Sequence, residues 1–201
     1  MKTDQNTEER ILAAARIVFI RKGMDGARMQ DIADEAGINK ALLHYYFRNK
    51  EQLFERIFQE AIDRFVPRVR QILVSEDTVY DKIRLFCAEY IQMALENPYI
   101  PVFIIGEVNK QPAQILARVF GKNPPDMRFF AAQLETEIKA GKIIDISPVQ
   151  LIMNMMSMCI FPFLGRPIFQ TVLGMDDLQF RLQMEHRKTL VPEFIFQAIR
   201  K

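Results

Sequence analysis

The 201 residues and 23.5 kDa of this chain amount to one or two small domains with enough length to bury a core. Apolar residues make up 49% and charged residues 26%, with a net charge of +2, so wholesale disorder is excluded and bulk charge dictates no polyanionic partner. Cys87 and Cys159 are too few for a disulfide framework. The run Lys2 to Arg10 that follows Met1 is polar rather than the apolar centre of a leader, and no apolar stretch reaches the roughly 18 residues of a bilayer span, so the sequence predicts a cytoplasmic protein with no membrane partner.

Helical periodicity runs the length of the chain and no strand alternation bounded by hairpin dipeptides appears. The expected fold class is therefore all-α, with about nine helices. The first is expected over Thr7 to Lys22, started by Asn6 and stopped by Gly23, with Ile11, Ala14, Ala15, Val18 and Phe19 on one stripe. Short helices follow from about Met29 to Ala36 and from Lys40 to Phe47, separated by Gly37. A fourth starts at Lys50 behind the capping pair Asn49 and Gln52 and continues to Val74. Phe54, Phe58, Ala61 and Phe65 keep its spacing, and Pro67 should kink it by removing the bond to the Asp63 carbonyl. Val79 to Glu96 is the fifth, and prolines at 98, 101 and 112 divide the next stretch into short helices. Met127 to Ala140, Pro148 to Leu164 behind a Ser147 cap, and Asp177 to Arg200 behind Asp176 and Gln179 complete the chain. Gly121, Gly141 and Gly174 stand at further expected helix stops.

Catalytic apparatus is not visible. The histidines are His44 and His186, the serines Ser75, Ser147 and Ser157, and no CxxC, HExxH, GxGxxG or GxxxxGK[ST] pattern occurs. The expectation is no enzyme activity, no cofactor and no metal.

The informative segment is Met29 to Leu53, MQDIADEAGINKALLHYYFRNKEQL. Two short helices meet at Gly37, with Ile32, Ala33, Ala36 and Ile38 able to pack between them. This is the layout of a helix-turn-helix, whose second helix enters a major groove by its N-terminus. Asn39 would cap that helix and present backbone N–H groups that suit a phosphate oxygen. The first fifty residues hold nine basic and seven acidic side chains and so carry the whole formal excess of +2. Between Gly37 and Lys50 there are three cations, Lys40, Arg48 and Lys50, and no acid. Leu43 and Phe47, four apart on one face, should be core.

On these residues the first 53 positions resemble the DNA-binding domain of TetR-family transcriptional repressors. Ile11 to Gly23 is similar to the family's first helix, and DIADEAGINKALLHYYFRNKEQL to its helix-turn-helix signature almost position by position. The rest of the chain matches in plan only. The resemblance implies a homodimeric regulator that binds double-stranded DNA and is released from a palindromic operator by a small-molecule effector. It implies a helix-turn-helix domain over 1–49 and a helical ligand-binding and dimerisation domain over 50–201. Lys40 and Ala41 would meet bases, and Leu42 would add an apolar contact. His44, Tyr45, Tyr46 and Lys50 would reach phosphates. Arg28 stands where the family usually has a capping Ser or Thr, which exchanges that phosphate contact for a charged one or loses it.

Sixteen Phe and eleven Met, with no Trp, either fill a core or line a pocket for a largely apolar ligand. Met153, Met155, Met156 and Met158 cover several faces of one helix, which favours some pocket. Its candidate walls are Phe58, Ile62, Phe65, Phe86, Tyr90 and Met93, continued by Phe103, Phe120, Phe130 and Met156, with Glu107 as a charged anchor. The apolar faces of the helices over 148–164 and 177–200 suggest a dimer interface through Met155, Cys159, Phe163, Leu190, Phe194 and Ile195, or burial against the subunit's own helices. A different reading keeps the C-terminal part as a carrier of lipids or small molecules whose helix-turn-helix no longer reads DNA.

Overall fold

The computed structural model describes residues 2–201; Met1, from which the polar start of the chain was read, lies outside them. Eleven helices follow in order: α1 (Lys2–Gly26), α2 (Met29–Ala36), α3 (Lys40–Tyr46), α4 (Lys50–Val74), α5 (Val79–Glu96), α6 (Tyr99–Lys110), α7 (Pro112–Phe120), α8 (Arg128–Lys139), α9 (Pro148–Leu164), α10 (Arg166–Leu173) and α11 (Asp177–Ile199). The expected class is right, but the count of about nine is too low. The stretch broken by prolines forms two full helices, with Pro101 inside the first turn of α6 and Pro112 opening α7. Helix α10 was not foreseen. Its Ile168, Phe169, Val172 and Leu173 keep helical spacing in the sequence, yet none of its residues is buried. Among the described residues there is no strand, only an isolated bridge between Ile143 and Arg200.

All five glycines read as stops adopt positive φ. The one at Gly23, φ 67° and ψ 173°, breaks α1 where the sequence ended it. Its start is corrected. The helix runs back through Asn6 to Lys2, because nothing between Lys2 and Glu9 interrupts it. The Asn49 side chain accepts the Gln52 N–H at 2.9 Å, and Asp176 and Gln179 form a reciprocal capping box. Ser147 occupies the cap position of α9, but its side chain makes no cap bond. Helix α4 continues for two turns beyond Pro67.

The chain divides into two compact units. The first comprises Met1–Asp63 and Asn97–Ile100, and so runs fourteen residues past the boundary expected at residue 49. Its core is Ile11, Ala15 and Phe19 of α1, Ile32 and Ala33 of α2, Leu43 of α3 and Leu53, Phe54, Ile57 and Phe58 of α4. Phe19 meets Phe54 edge-on at 5.9 Å and Tyr99 at 5.6 Å. Each such side chain contributes about 1.5–3 kcal/mol by leaving water. Burial pushes the Tyr99 phenol above its ordinary pKa, and its hydroxyl donates to Asn97 Oδ1 at 3.2 Å.

The second unit comprises Arg64–Glu96 and Pro101–Lys201. Helix α5 is its centre, packed on α11, α9 and α8. Cys87 of α5 and Cys159 of α9 are both buried and free, with their thiols hydrogen-bonded to each other. That bond and burial push the Cys87 thiol up, which keeps it protonated. Lys82 is a buried cation. Its Nζ donates to the Leu73 carbonyl at 3.0 Å, closing the end of α4, and lies 4.6 Å from the Phe129 ring centre. The Arg70 guanidinium does the same for α7, donating to the carbonyls of Phe120, at 2.7 Å, and Asn123. Among the described residues no single helix is long and apolar enough to cross a membrane. The pair α9 and α10, bent by 69°, reaches that apolarity only together.

Candidate nucleic-acid interface

Gly37 builds the corner between α2 and α3. At φ 63° and ψ 37° it takes the left-handed conformation that costs glycine nothing. Its N–H donates to the Asp34 carbonyl at 3.1 Å and that of Ile38 to Ala33 at 3.0 Å, which is a Schellman end. Arg10 of α1 adds a third donor, from Nη2 to the Ala36 carbonyl at 2.8 Å. Helix α3 then starts on Asn39, whose Oδ1 accepts the Leu42 N–H at 2.7 Å. Buried Ile32, Ala33 and Ala36 seat α2, and buried Leu43 and Phe47 seat α3, as their spacing required.

With that edge buried, the rest of the short helix faces outward. Asn39, Lys40, Ala41 and His44 are exposed, Leu42 keeps 37% of its surface and Tyr45 81%, while Tyr46 is half-buried against Tyr45, edge-on at 5.3 Å. The His44 Nδ1–H donates to the Arg48 carbonyl at 3.1 Å, which holds Nε2 as the ring's free nitrogen. Lys40 has no side-chain bond or ion pair among the described residues. Arg48 is likewise unpaired through its guanidinium, a cation that the sequence marked by the lack of nearby acid but that belonged to no expected contact.

Two further expected phosphate ligands, Arg28 and Lys50, flank these helices. Arg28 is exposed and extended ahead of α2, and its backbone N–H donates to the Asp31 carboxylate at 3.1 Å. The ammonium of Lys22, 2.9 Å away, is the chief cause that holds the Asp31 carboxyl below its ordinary range. Lys50 is the larger departure. Its Nζ donates to the carbonyls of Met24, at 2.9 Å, and Asp25, at 3.0 Å, so its charge is spent on the turn after α1. Ion pairs Arg21–Glu35 and Arg16–Glu60, at 2.9 and 2.6 Å, tie α1 to α2 and α4.

The residues expected around a ligand do not form one set. Phe58 and Ile62 are buried and belong to the first unit. Met156 is 41% exposed, on the outer face of α9, instead of turned inward. Phe65, Phe86 and Tyr90 do cluster, with Tyr90 5.7 and 6.1 Å from the two phenylalanine rings, and burial raises the Tyr90 hydroxyl pKa. Met93 and Phe130 are buried in the same unit, and Phe120 is half-buried at the end of α7. Phe103 lies under the Arg118 guanidinium at 5.5 Å, and Glu107 pairs with Lys110 at 3.1 Å. The expected dimer face divides as well. Met155, Cys159, Phe163 and Ile195 are buried in their own protomer and have no surface left for a second copy, whereas Leu190 and Phe194 keep 54% and 64% of theirs.

Residues 11–57 match the family described as bacterial regulatory proteins, tetR family. The chain is 30% identical over 104 residues to the HTH-type transcriptional repressor KstR2 of Mycolicibacterium smegmatis, an alignment covering 51% of this chain and 50% of that protein. It is 40% identical over 63 residues to the HTH-type transcriptional activator FasR of the same organism, covering 31% and 29%. It thus spans half, or less, of the length of these two relatives. The fold is that of the ketosteroid transcriptional regulator KstR2 of Mycobacterium tuberculosis, with a TM-score of 0.68 over 96% of this chain and 95% of that one, at 16% identity.

Proposed function

We propose that this chain is a regulator of the tetR family, whose description residues 11–57 match, that it binds duplex DNA as a homodimer through α3, and that it represses transcription until a small, largely apolar molecule occupies its second unit. The observation that carries this reading is the outward face of α3. Lys40, Ala41, Leu42, His44 and Tyr45 are exposed together on a helix of seven residues whose remaining edge is core, and no acid stands among them. An acidic surface there would repel a duplex, and a neutral one would gain nothing from its phosphates. This one offers an unpaired ammonium and an unpaired guanidinium for phosphates, with small and apolar side chains that approach base edges closely.

One such helix covers only a few base pairs, so specificity calls for two. A two-fold dimer presents its recognition helices about 34–36 Å apart to the half-sites of a palindrome. Exposed Leu190 and Phe194 on α11 and Met153 and Met156 on α9 support pairing through these two helices. A ligand that binds better to another spacing of the two α3 helices draws the population off DNA. The Phe65, Phe86 and Tyr90 cluster supports an apolar ligand class.

Selection from a random duplex pool tests the reading. Enrichment of palindromes with half-sites one helical turn apart, lost in Tyr45→Ala combined with Lys40→Ala, is the expected result. Failure to enrich any duplex at low salt refutes it.

A further inference from the structure

The outer side of α9 and α11 carries a groove lined by Met158, Arg187, Leu190, Val191, Glu193 and Phe194. Arg187 is anchored in it, because its Nη2 donates to the Met158 carbonyl at 2.7 Å, and its Nε is buried without an acceptor. Among the described residues no carboxylate pairs with Arg187 and no cation pairs with Glu193. Elsewhere on the same helix, Glu185 and Asp177 are matched within the protomer, by Lys188 and Arg166. A cation held in place and an anion left free therefore share one apolar groove. A half-satisfied guanidinium there is set to receive a carboxylate in a good geometry.

Their positions along the helix are symmetric. Arg187 stands three residues before Leu190 and Glu193 three after it, about 4.5 Å along the axis on either side. A two-fold axis crossing α11 at Leu190 reverses the helix, so that Arg187 faces Glu193 of the partner subunit and Glu193 faces the partner's Arg187. The same register sets Leu182 opposite Ala198 and Gln183 opposite Gln197, apolar against apolar and amide against amide. This is the isologous condition, in which one patch completes itself. A partner of another kind would have no need of a charge pattern that complements its own reverse.

We infer that Leu190 lies on the two-fold axis of the homodimer and that Arg187 of each protomer pairs with Glu193 of the partner subunit, which sets the register of the two copies. The inference rests on the homodimer proposed above. The pair excludes slid registers, since moving α11 by three or four residues sets each charge against an uncharged neighbour. Among the described residues the Glu193 side chain has no bonding partner, so changing it tests the interface without loosening the protomer.

Sedimentation equilibrium of the full chain decides the matter. Glu193→Arg and Arg187→Glu each weaken the dimer by about tenfold or more, and the double variant R187E/E193R returns to within about threefold of the native chain. Circular dichroism checks that each variant is folded. Leu190→Cys, oxidised in air, links two chains by a disulfide because a residue on the axis meets its own copy, whereas Gln183→Cys does not. If Glu193→Arg dimerises as the native chain does, if the double variant adds the two losses, or if Leu190→Cys stays unlinked in a dimeric protein, the register is wrong while the dimer stands. A native chain that stays monomeric at every concentration removes the homodimer and the pairing with it.

Discussion

Lys50→Met separates two uses of one charge. At the start of α4 a lysine reads as a phosphate ligand, yet its ammonium closes two backbone carbonyls, those of Met24 and Asp25. A hydrogen bond to a charged group contributes about 1.5–3 kcal/mol net, and exposure of the half-buried side chain lowers the sum of the two. A destabilisation of about 1–3 kcal/mol follows, or a fall in melting temperature of several degrees for a unit of this size. Duplex affinity should fall similarly, since the turn after α1 loosens, but its salt dependence should be kept. Lys40→Met is the mirror case. It makes no bond within the chain, so its melting should change by no more than about 0.5 kcal/mol, while the slope of log affinity against log salt falls by about 0.9 in magnitude for the lost phosphate contact. Fluorescence anisotropy on a selected duplex over a salt series, beside thermal melts of both variants, gives the four numbers. If Lys50→Met melts like the native chain and loses a unit of salt slope, its ammonium belongs to the DNA and the carbonyl clamp is refuted.

Gly37→Ala should cost about 1–2 kcal/mol, the penalty of a left-handed alanine. The new Cβ meets nothing nearer than the Arg10 Nη2 at 3.7 Å, so a denaturant midpoint showing a loss above about 4 kcal/mol would contradict a purely backbone effect. Lys82→Met probes the buried cation of the second unit. Desolvation holds the Lys82 pKa below the ordinary 10.5, so the unfolded chain binds the proton more tightly, and native stability rises with pH between the lowered value and 10.5. The variant should lose that alkaline gain and stay within about 2 kcal/mol of the native chain at pH 7, because a methionine fills the same space without a charge to desolvate. Denaturant titrations from pH 7 to 10.5 that show parallel curves would overturn this.

What could be read from the sequence follows from which forces act locally. Glycine stops depend on the backbone of one residue, and Gly23, Gly37, Gly121, Gly141 and Gly174 all take positive φ, with Gly37 and Gly174 fully left-handed. The Asp176 and Gln179 box closes within four residues and was equally legible. Leu43 and Phe47 announce their burial by spacing alone. The misses depend on partners distant in the chain. Helix α10 is held by Arg166 and Gln170 on the Asp177 carboxylate, a polar clamp at its ends that leaves Ile168, Val172 and Leu173 of its apolar stripe in the open. An apolar stripe shows that a side chain is covered but not by what, which is why Met155 and Ile195 looked the same as Leu190 and Phe194. A lysine shows its charge and not its acceptor, so Lys50 was read by its neighbours in sequence, when the carbonyls it binds lie 25 and 26 residues earlier.

The open position of Tyr45, leaning edge-on against Tyr46, has a practical consequence for spectroscopy. The chain contains no tryptophan, so Tyr45→Trp would install a lone indole on the outer side of the recognition helix. Its emission could be excited apart from the remaining tyrosines and would report in real time, without any attached dye, when that surface is wetted and when it is sheltered.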